Sequence, residues 1–178
     1  QPALAALADG GYVAVWASEH QDGNDWGVFG QRFDASGQRL GEEFQVNTYG
    51  GDLEISNNDQ SQPQVAGLSN GDFVVVWQSY GQDGSDNGVY SQRYAADGSL
   101  VGVETRVNTT TDYAQENPVV IALDAGRYLV AWESLYQGDG YGLTPVARIY
   151  AADGQPETAE FVLSTTDAYQ YRPVLSTL

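Results

Sequence analysis

The apolar positions of the chain fall into short runs that return in the same order. Pro2-Ala-Leu-Ala-Ala-Leu7, Pro63-Gln-Val-Ala-Gly-Leu68 and Pro118-Val-Val-Ile-Ala-Leu123 each lead into a glycine turn, at Gly10, Gly71 and Gly126. A second apolar run follows each turn and ends on tryptophan: Tyr12-Val-Ala-Val-Trp16, Phe73-Val-Val-Val-Trp77 and Tyr128-Leu-Val-Ala-Trp132. A run that is apolar at nearly every position reads as a strand buried on both faces. The third run alternates more clearly, over Gly27–Phe33 and Gly88–Tyr94, and the fourth covers Glu43–Asn47 and Glu104–Asn108. Asp9-Gly10, Asn70-Gly71 and Asp97-Gly98 are hairpin dipeptides, because they tolerate positive φ. No stretch combines helical periodicity with caps, so the pattern predicts an all-β chain of about twelve strands.

The landmarks keep their spacing. Trp16, Trp77 and Trp132 lie equally far before Arg32, Arg93 and Arg148, and Gly37, Gly98 and Gly154 follow, then Asn47, Asn108 and Ser164. This divides the chain into residues 1–60, 61–116 and 117–171, with residues 172–178 repeating the opening strand and an acidic insertion at 49–60 in the first copy. A four-stranded antiparallel meander returning at about 55 residues matches a β-propeller blade; a linear stack of sheets and a β-sandwich are the alternatives. The three tryptophans are expected in the core. The recurring arginines are expected to pair with an acid of the blade, since a guanidinium binds carboxylates bidentately.

Leu68-Ser-Asn-Gly-Asp-Phe-Val-Val-Val-Trp77-Gln-Ser-Tyr-Gly-Gln-Asp-Gly84, Gly88-Val-Tyr-Ser-Gln-Arg-Tyr94 and Arg106-Val-Asn108-Thr resemble tandem repeats of very large secreted bacterial proteins. Those proteins often carry RTX-type calcium-binding or cadherin-like modules elsewhere. The resemblance spans essentially the whole chain and is best in the middle copy. It implies a Gram-negative extracellular or cell-surface protein, exported by a type I system, with an adhesive or structural role. The third copy departs from it, with Tyr136-Gln-Gly-Asp-Gly-Tyr-Gly142 in place of the Gln-Asp-Gly loop and Pro145 in its third strand.

Charge narrows the partners. The 24 acidic residues outweigh 7 basic ones, all arginine, for a net charge of −17. That field repels nucleic acid and anionic membranes, and attracts hard cations that prefer oxygen ligands. Cysteine is absent, which removes disulfides, thiolate metal sites and thiol nucleophiles. No apolar run is long enough for a membrane helix, so membrane insertion is not expected.

The loop after each tryptophan strand is the leading metal candidate. Asp22, Asn24 and Asp25 in the first copy, Asp83 and Asp86 in the second, and Asp139 in the third can converge on Ca²⁺. The same residues are good turn formers, so a plain turn is the competing reading. The insertion adds Asp52, Glu54, Asn57, Asn58 and Asp59. Trp26, Tyr80, Tyr136 and Tyr141 are expected in loops, where they could stack on sugar rings. His20 is the only histidine, no nucleophile elbow frames Ser18, and no carboxylate pair is set in a readable apolar pocket, so no enzyme is expected. The expectation is a non-catalytic, calcium-stabilised extracellular module that adheres or builds a surface assembly, with a carbohydrate-binding propeller lectin as the alternative. Glycans are possible partners. The chain is also expected to self-associate through its terminal strands, as a dimer or a head-to-tail filament.

Overall fold

The computed structural model describes residues 1–23, 25–50, 59–137, 142–164 and 173–174. The described residues form three four-stranded antiparallel sheets and no α-helix. Unit 1 holds β1 (Ala3–Ala6), β2 (Tyr12–Glu19), β3 (Trp26–Phe33) and β4 (Arg39–Gln45). Unit 2 holds β5 (Gln60–Gly67), β6 (Phe73–Tyr80), β7 (Asn87–Tyr94) and β8 (Leu100–Arg106). Unit 3 holds β9 (Gln115–Ala122), β10 (Tyr128–Leu135), β11 (Leu143–Tyr150) and β12 (Phe161–Val162), with one 3-10 turn at Asp124–Gly126. In every sheet the strands lie in chain order, as the hairpin dipeptides require.

Sheets pack face to face. The valine face of unit 1 (Val13, Val15, Val28, Val46) meets the aromatic face of unit 2 (Phe73, Trp77, Tyr90, Tyr94). The valine face of unit 2 (Val74, Val76, Val89, Val107) meets the aromatic face of unit 3 (Tyr128, Trp132, Tyr150). This two-sided burial explains why the tryptophan strands carry no polar alternation. Trp77 and Trp132 are 0 % exposed, as expected of core residues. Trp16 is only half-buried, because in units 2 and 3 the tryptophan face is covered by the preceding sheet and no described sheet covers it in unit 1.

Three polar clasps fix each junction. At the first, Asn47 Oδ1 accepts the buried Val28 N–H and its amide donates to Gln60 Oε1 of unit 2. At the second, Asn108 does the same between Val89 N–H and Gln115 Oε1 of unit 3. Both asparagines and both glutamines are buried, so each bond satisfies a group that water cannot reach. Next, the Glu104 carboxylate of unit 2 accepts the Thr48 N–H at 2.6 Å, and Glu160 of unit 3 accepts that of Thr109. Finally, Arg32 donates to the carbonyls of Ala96 and Asp97 in the β7–β8 turn. Arg93 donates to Ala152 O in the β11–β12 turn and pairs with Asp72 at 3.2 Å. The arginine clasps are therefore made mainly to backbone carbonyls of the next unit, with the acid of their own unit in support.

Arg148 does not belong to that series. Glu19 pairs with Trp26 and Tyr80 with Asn87, but Leu135 pairs with Leu143, so the connection 136–142 is one residue longer than 20–25 and 81–86. The shift puts Ile149 where Arg32 and Arg93 stand: Val13 pairs with Arg32, Val74 with Arg93 and Leu129 with Ile149. A slip of one residue moves a strand side chain to the opposite face. Arg148 accordingly points back, donating to Val107 O of unit 2 and Thr158 O of its own sheet, both at 3.1 Å.

Candidate functional site

The first strands gather at one side of the stack. β5 packs across β1, β2 and β3, and β9 packs across β5, β6 and β7. Where β5 and β9 begin, both ladders break. The pairing of β5 with β6 shifts between Ser61 and Gln64, and that of β9 with β10 shifts opposite Ala131 and Glu133. The breaks hold Gln62-Pro63 and Asn117-Pro118. Proline has no N–H to leave unpaired there, which makes it an acceptable bulge residue.

Gln62 and Asn117 have φ of 53° and 52°. A non-glycine residue in this region stores about 1–3 kcal/mol and persists only where its surroundings hold it. At Asn117 the holding groups are visible: its N–H donates to Gln78 Oε1 of unit 2 at 3.0 Å, and its amide donates to Glu133 Oε2 at 2.5 Å. Gln62, Gln64, Asn117 and Val119 line a cavity of about 200 Å³ together with Gln1 and Pro173.

Beside this cavity two carboxylates face each other. Glu133 on β10 stands directly across from Glu116 on β9 and is 1 % exposed. Burial pushes the Glu116 carboxyl above the usual range, the charge of Glu133 pushes it further, and Asp86 adds to that; the Asn87 side chain opposes by hydrogen bonding. The first junction has a weaker analogue. Burial pushes Asp59 up, the charges of Asp25 and Glu19 assist, and the Trp26 N–H opposes.

The metal candidates lie at this same end, on the loops that join the second strand of each sheet to the third. Asp22 Oδ2 accepts from Gln45, and Asp83 accepts from Ser85 N–H and from the Asn108 amide. Gly27 and Gly88 make room for them: a Cβ there would come within 2.5 Å of Asp22 Oδ2 and 2.7 Å of Asp83 Oδ2. The carbonyls of Asp25 and Asp86 close the loops onto His20 and Gly81. What these contacts show is turn and interstrand bonding. No group of three or more His, Cys, Asp or Glu side chains is placed to hold a metal among the described residues. Asn24, Asp139 and Tyr141 lie outside the described residues, as do Asp52, Glu54, Asn57 and Asn58 of the insertion.

Of the aromatic candidates, Tyr80 is the last residue of β6 and half-buried, so it is a strand residue and not a loop platform. Trp26 opens β3 at 38 % exposure. Tyr136 is 51 % exposed and packs edge-on against Tyr113 at 4.8 Å. Among the described residues the structure therefore brings no set of the named aromatics together.

Sequence reasoning missed the Glu116–Glu133 pair and its support. The signal was present in Gln60-Ser-Gln-Pro63 and Gln115-Glu-Asn-Pro118, where a buried glutamine starts the strand and a proline ends the bulge. Pairing Glu116 with Glu133 needs the register of two strands joined by the connection 123–127 and shifted by a bulge, which spacing alone does not reveal.

No family model and no curated protein sequence matches the chain. Solved structures do. An endo-arabinase from Bacteroides thetaiotaomicron is similar with a TM-score of 0.51 at 15 % identity, covering 89 % of this chain and 60 % of that one. An α-L-arabinofuranosidase from Lactobacillus brevis is similar with a TM-score of 0.51 at 14 % identity, covering 93 % of this chain and 54 % of that one. The chain thus spans somewhat over half the length of each, and at these identities the likeness is one of fold. It corrects the expectation of a non-catalytic adhesive or structural module and lends the lectin alternative no support, because the arrangement of sheets is shared with an endo-arabinase and an α-L-arabinofuranosidase; it does not bear on calcium. It also corrects the exclusion of catalysis, which rested in part on finding no carboxylate pair in a sheltered setting; Glu116 and Glu133 form one.

Proposed function

We propose that the three units are consecutive blades of a β-propeller and that the protein is a carbohydrate-active enzyme cleaving glycosidic bonds at the mouth formed by β5 and β9. The observation that carries this reading is the Glu116 carboxyl, held partly desolvated opposite the buried Glu133 and beside Asp86. A carboxylic acid with a raised pKa keeps its proton to higher pH than a free carboxylate does and can donate it. Glu116 gives that proton to the glycosidic oxygen as the bond to the anomeric carbon breaks. Asp86, exposed on the β6–β7 loop, takes a proton from the water that attacks the same carbon. Asn117 positions Glu133, and burial together with the charge of Glu133 raises the Glu116 carboxyl. The neutral amides of Gln62, Gln64 and Asn117 offer both donors and acceptors to sugar hydroxyls. The two similar structures are of enzymes named for arabinose-containing substrates, which supports a pentose polymer as the first substrate to try. An extracellular polysaccharide agrees with the secreted location implied by the repeat resemblance.

The test is release of reducing sugar from arabinan and of phenol from an aryl arabinofuranoside. The wild-type chain should be active, and E116Q should lower the rate about a hundredfold or more with its melting temperature preserved or raised. D86N should impair hydrolysis of the same substrates. Wild-type inactivity on both classes of substrate, or full activity of E116Q, would refute the assignment.

A further inference from the structure

The two junctions show what each face of a unit accepts, and the leading face of unit 1 has the accepting half of a junction with nothing described in it. The accepting half consists of a stacked aromatic pair, a glutamate on the fourth strand and the carbonyls of the turn after the third strand. In units 2 and 3 the pairs Phe73–Tyr94 and Tyr128–Tyr150 are stacked at 4.8 and 4.9 Å and at most 2 % exposed. Tyr12–Phe33 of unit 1 is stacked at 4.8 Å, yet both rings are half-buried. Glu104 and Glu160 each accept a threonine N–H from the preceding unit, whereas among the described residues Glu43 accepts only from Gln21 of its own sheet. A Cβ added at the turn glycines Gly98 and Gly154 would meet Arg32 and Arg93, but one added at Gly37 would meet only the Tyr12 hydroxyl, at 3.9 Å.

Unit 3 does not supply the complementary half. Ile149 replaces the arginine, and Ser164 replaces the asparagine. Pro145 takes the position of Val28 and Val89, as shown by Leu163 N–H donating to Pro145 O where Val46 and Val107 donate to those valines. Proline has no N–H, so the asparagine clasp loses its donor as well as its acceptor. All three changes fall on the one face that would have to meet unit 1 of another copy.

We infer that the leading face of unit 1 is a docking surface for a further four-stranded unit of this repeat, one that carries arginine on its third strand and Asn-Thr after its fourth, and that a second copy's unit 3 is not that partner. The partner's arginine donates to the carbonyls of Ala35 and Ser36, its threonine N–H reaches Glu43, and its valine face covers Tyr12, Trp16 and Phe33. The inference rests on the junction geometry and is independent of the catalytic reading.

The probe is the chain itself with the missing half installed: P145V, I149R and S164N together. Sedimentation velocity should show the wild-type chain at its 19.2 kDa monomer mass and the triple variant as species of at least twice that mass. Adding E43R, an exposed substitution, should return the triple variant to monomer. Circular dichroism and melting establish that each variant is folded. A folded triple variant that stays monomeric would overturn the inference, as would self-association of the wild-type chain that E43R abolishes.

Discussion

Units 1 and 2 each send an arginine forward onto the next sheet, and unit 3 sends one backward. Arg32 and Arg93 cap the turns of the following units, while Arg148 returns to Val107 of the unit behind it. The three stand equally far from their tryptophans in the sequence, so counting alone makes them equivalents. One added residue between β10 and β11 breaks the equivalence, because strand faces alternate with every residue. The rest of unit 3 agrees with the change: Ile149 and Leu129 make its forward face apolar where units 1 and 2 place Arg against Val. A repeat can thus keep its core while altering one face, provided the altered residues lie on alternate positions of the same strands.

The largest effect should separate the tryptophans. Trp77→Ala removes a side chain with no exposed surface at the centre of the first junction and should cost about 3–5 kcal/mol in unfolding free energy. Trp16→Ala, at the same repeat position but half-buried, should cost clearly less. Equal losses in chemical denaturation would mean that the leading face of unit 1 is as well packed as the junctions. Next come the asparagines. Asn108→Ala leaves the buried Val89 N–H and Gln115 Oε1 without partners and should cost about 1–3 kcal/mol. Ser164→Ala should cost less, because Pro145 offers no N–H to orphan. A smaller loss again, about 1–2 kcal/mol, is expected for Arg93→Ala, whose pairing with Asp72 is only partly shielded from water. Hydrogen exchange in the tight turn at 151–155, where Arg93 donates to Ala152 O, should rise in that variant and change less in R148A, whose contact in this connection is with Thr158 O.

Much of the architecture was legible in the residues. The strand order, the hairpins and the burial of Trp77 and Trp132 follow from apolar runs and Asp-Gly or Asn-Gly turns, which are local signals. The junction clasps were visible only as recurring letters. Asn47 and Asn108 stood out as landmarks, but their work depends on Gln60 and Gln115 of the next unit, a contact between sheets. The site was least legible. Asp22 and Asp83 drew attention as acids on glycine loops, while Glu116 sits in an ordinary strand and gains its character from burial and from Glu133 across the ladder. The left-handed Gln62 and Asn117 were hidden too, since neither is glycine and proline follows each.

The smallest effect is the one that reads the two junctions by pH. Glu116 and Asp59 both have carboxyls raised above their ordinary range, with burial as the first cause in each. A raised acid binds its proton more tightly folded than unfolded. At low pH the proton is present in both states and the acid has no effect on stability. As pH climbs past the ordinary carboxylate value, the unfolded chain releases its proton while the folded chain retains it, so the stability falls through that window and levels off above the raised value. Asp34 and Asp97 act in the opposite sense: hydrogen bonds from Ser36 and Ser99 lower them, and their contribution is lost as pH falls. Wild-type stability across the acid range is the sum of the two tendencies. E116Q removes one raised group at the second junction and D59N one at the first, so each should lessen the decline on raising pH from the acid side. The change should be larger for E116Q if Glu133, held by Asn117 directly across the ladder, couples more strongly than Asp25 across a loop. Melting curves of both variants between acid and neutral pH measure this directly, and a wild-type slope retained in E116Q would show that Glu116 does not sit in the sheltered, charged setting on which its assignment as the proton donor depends.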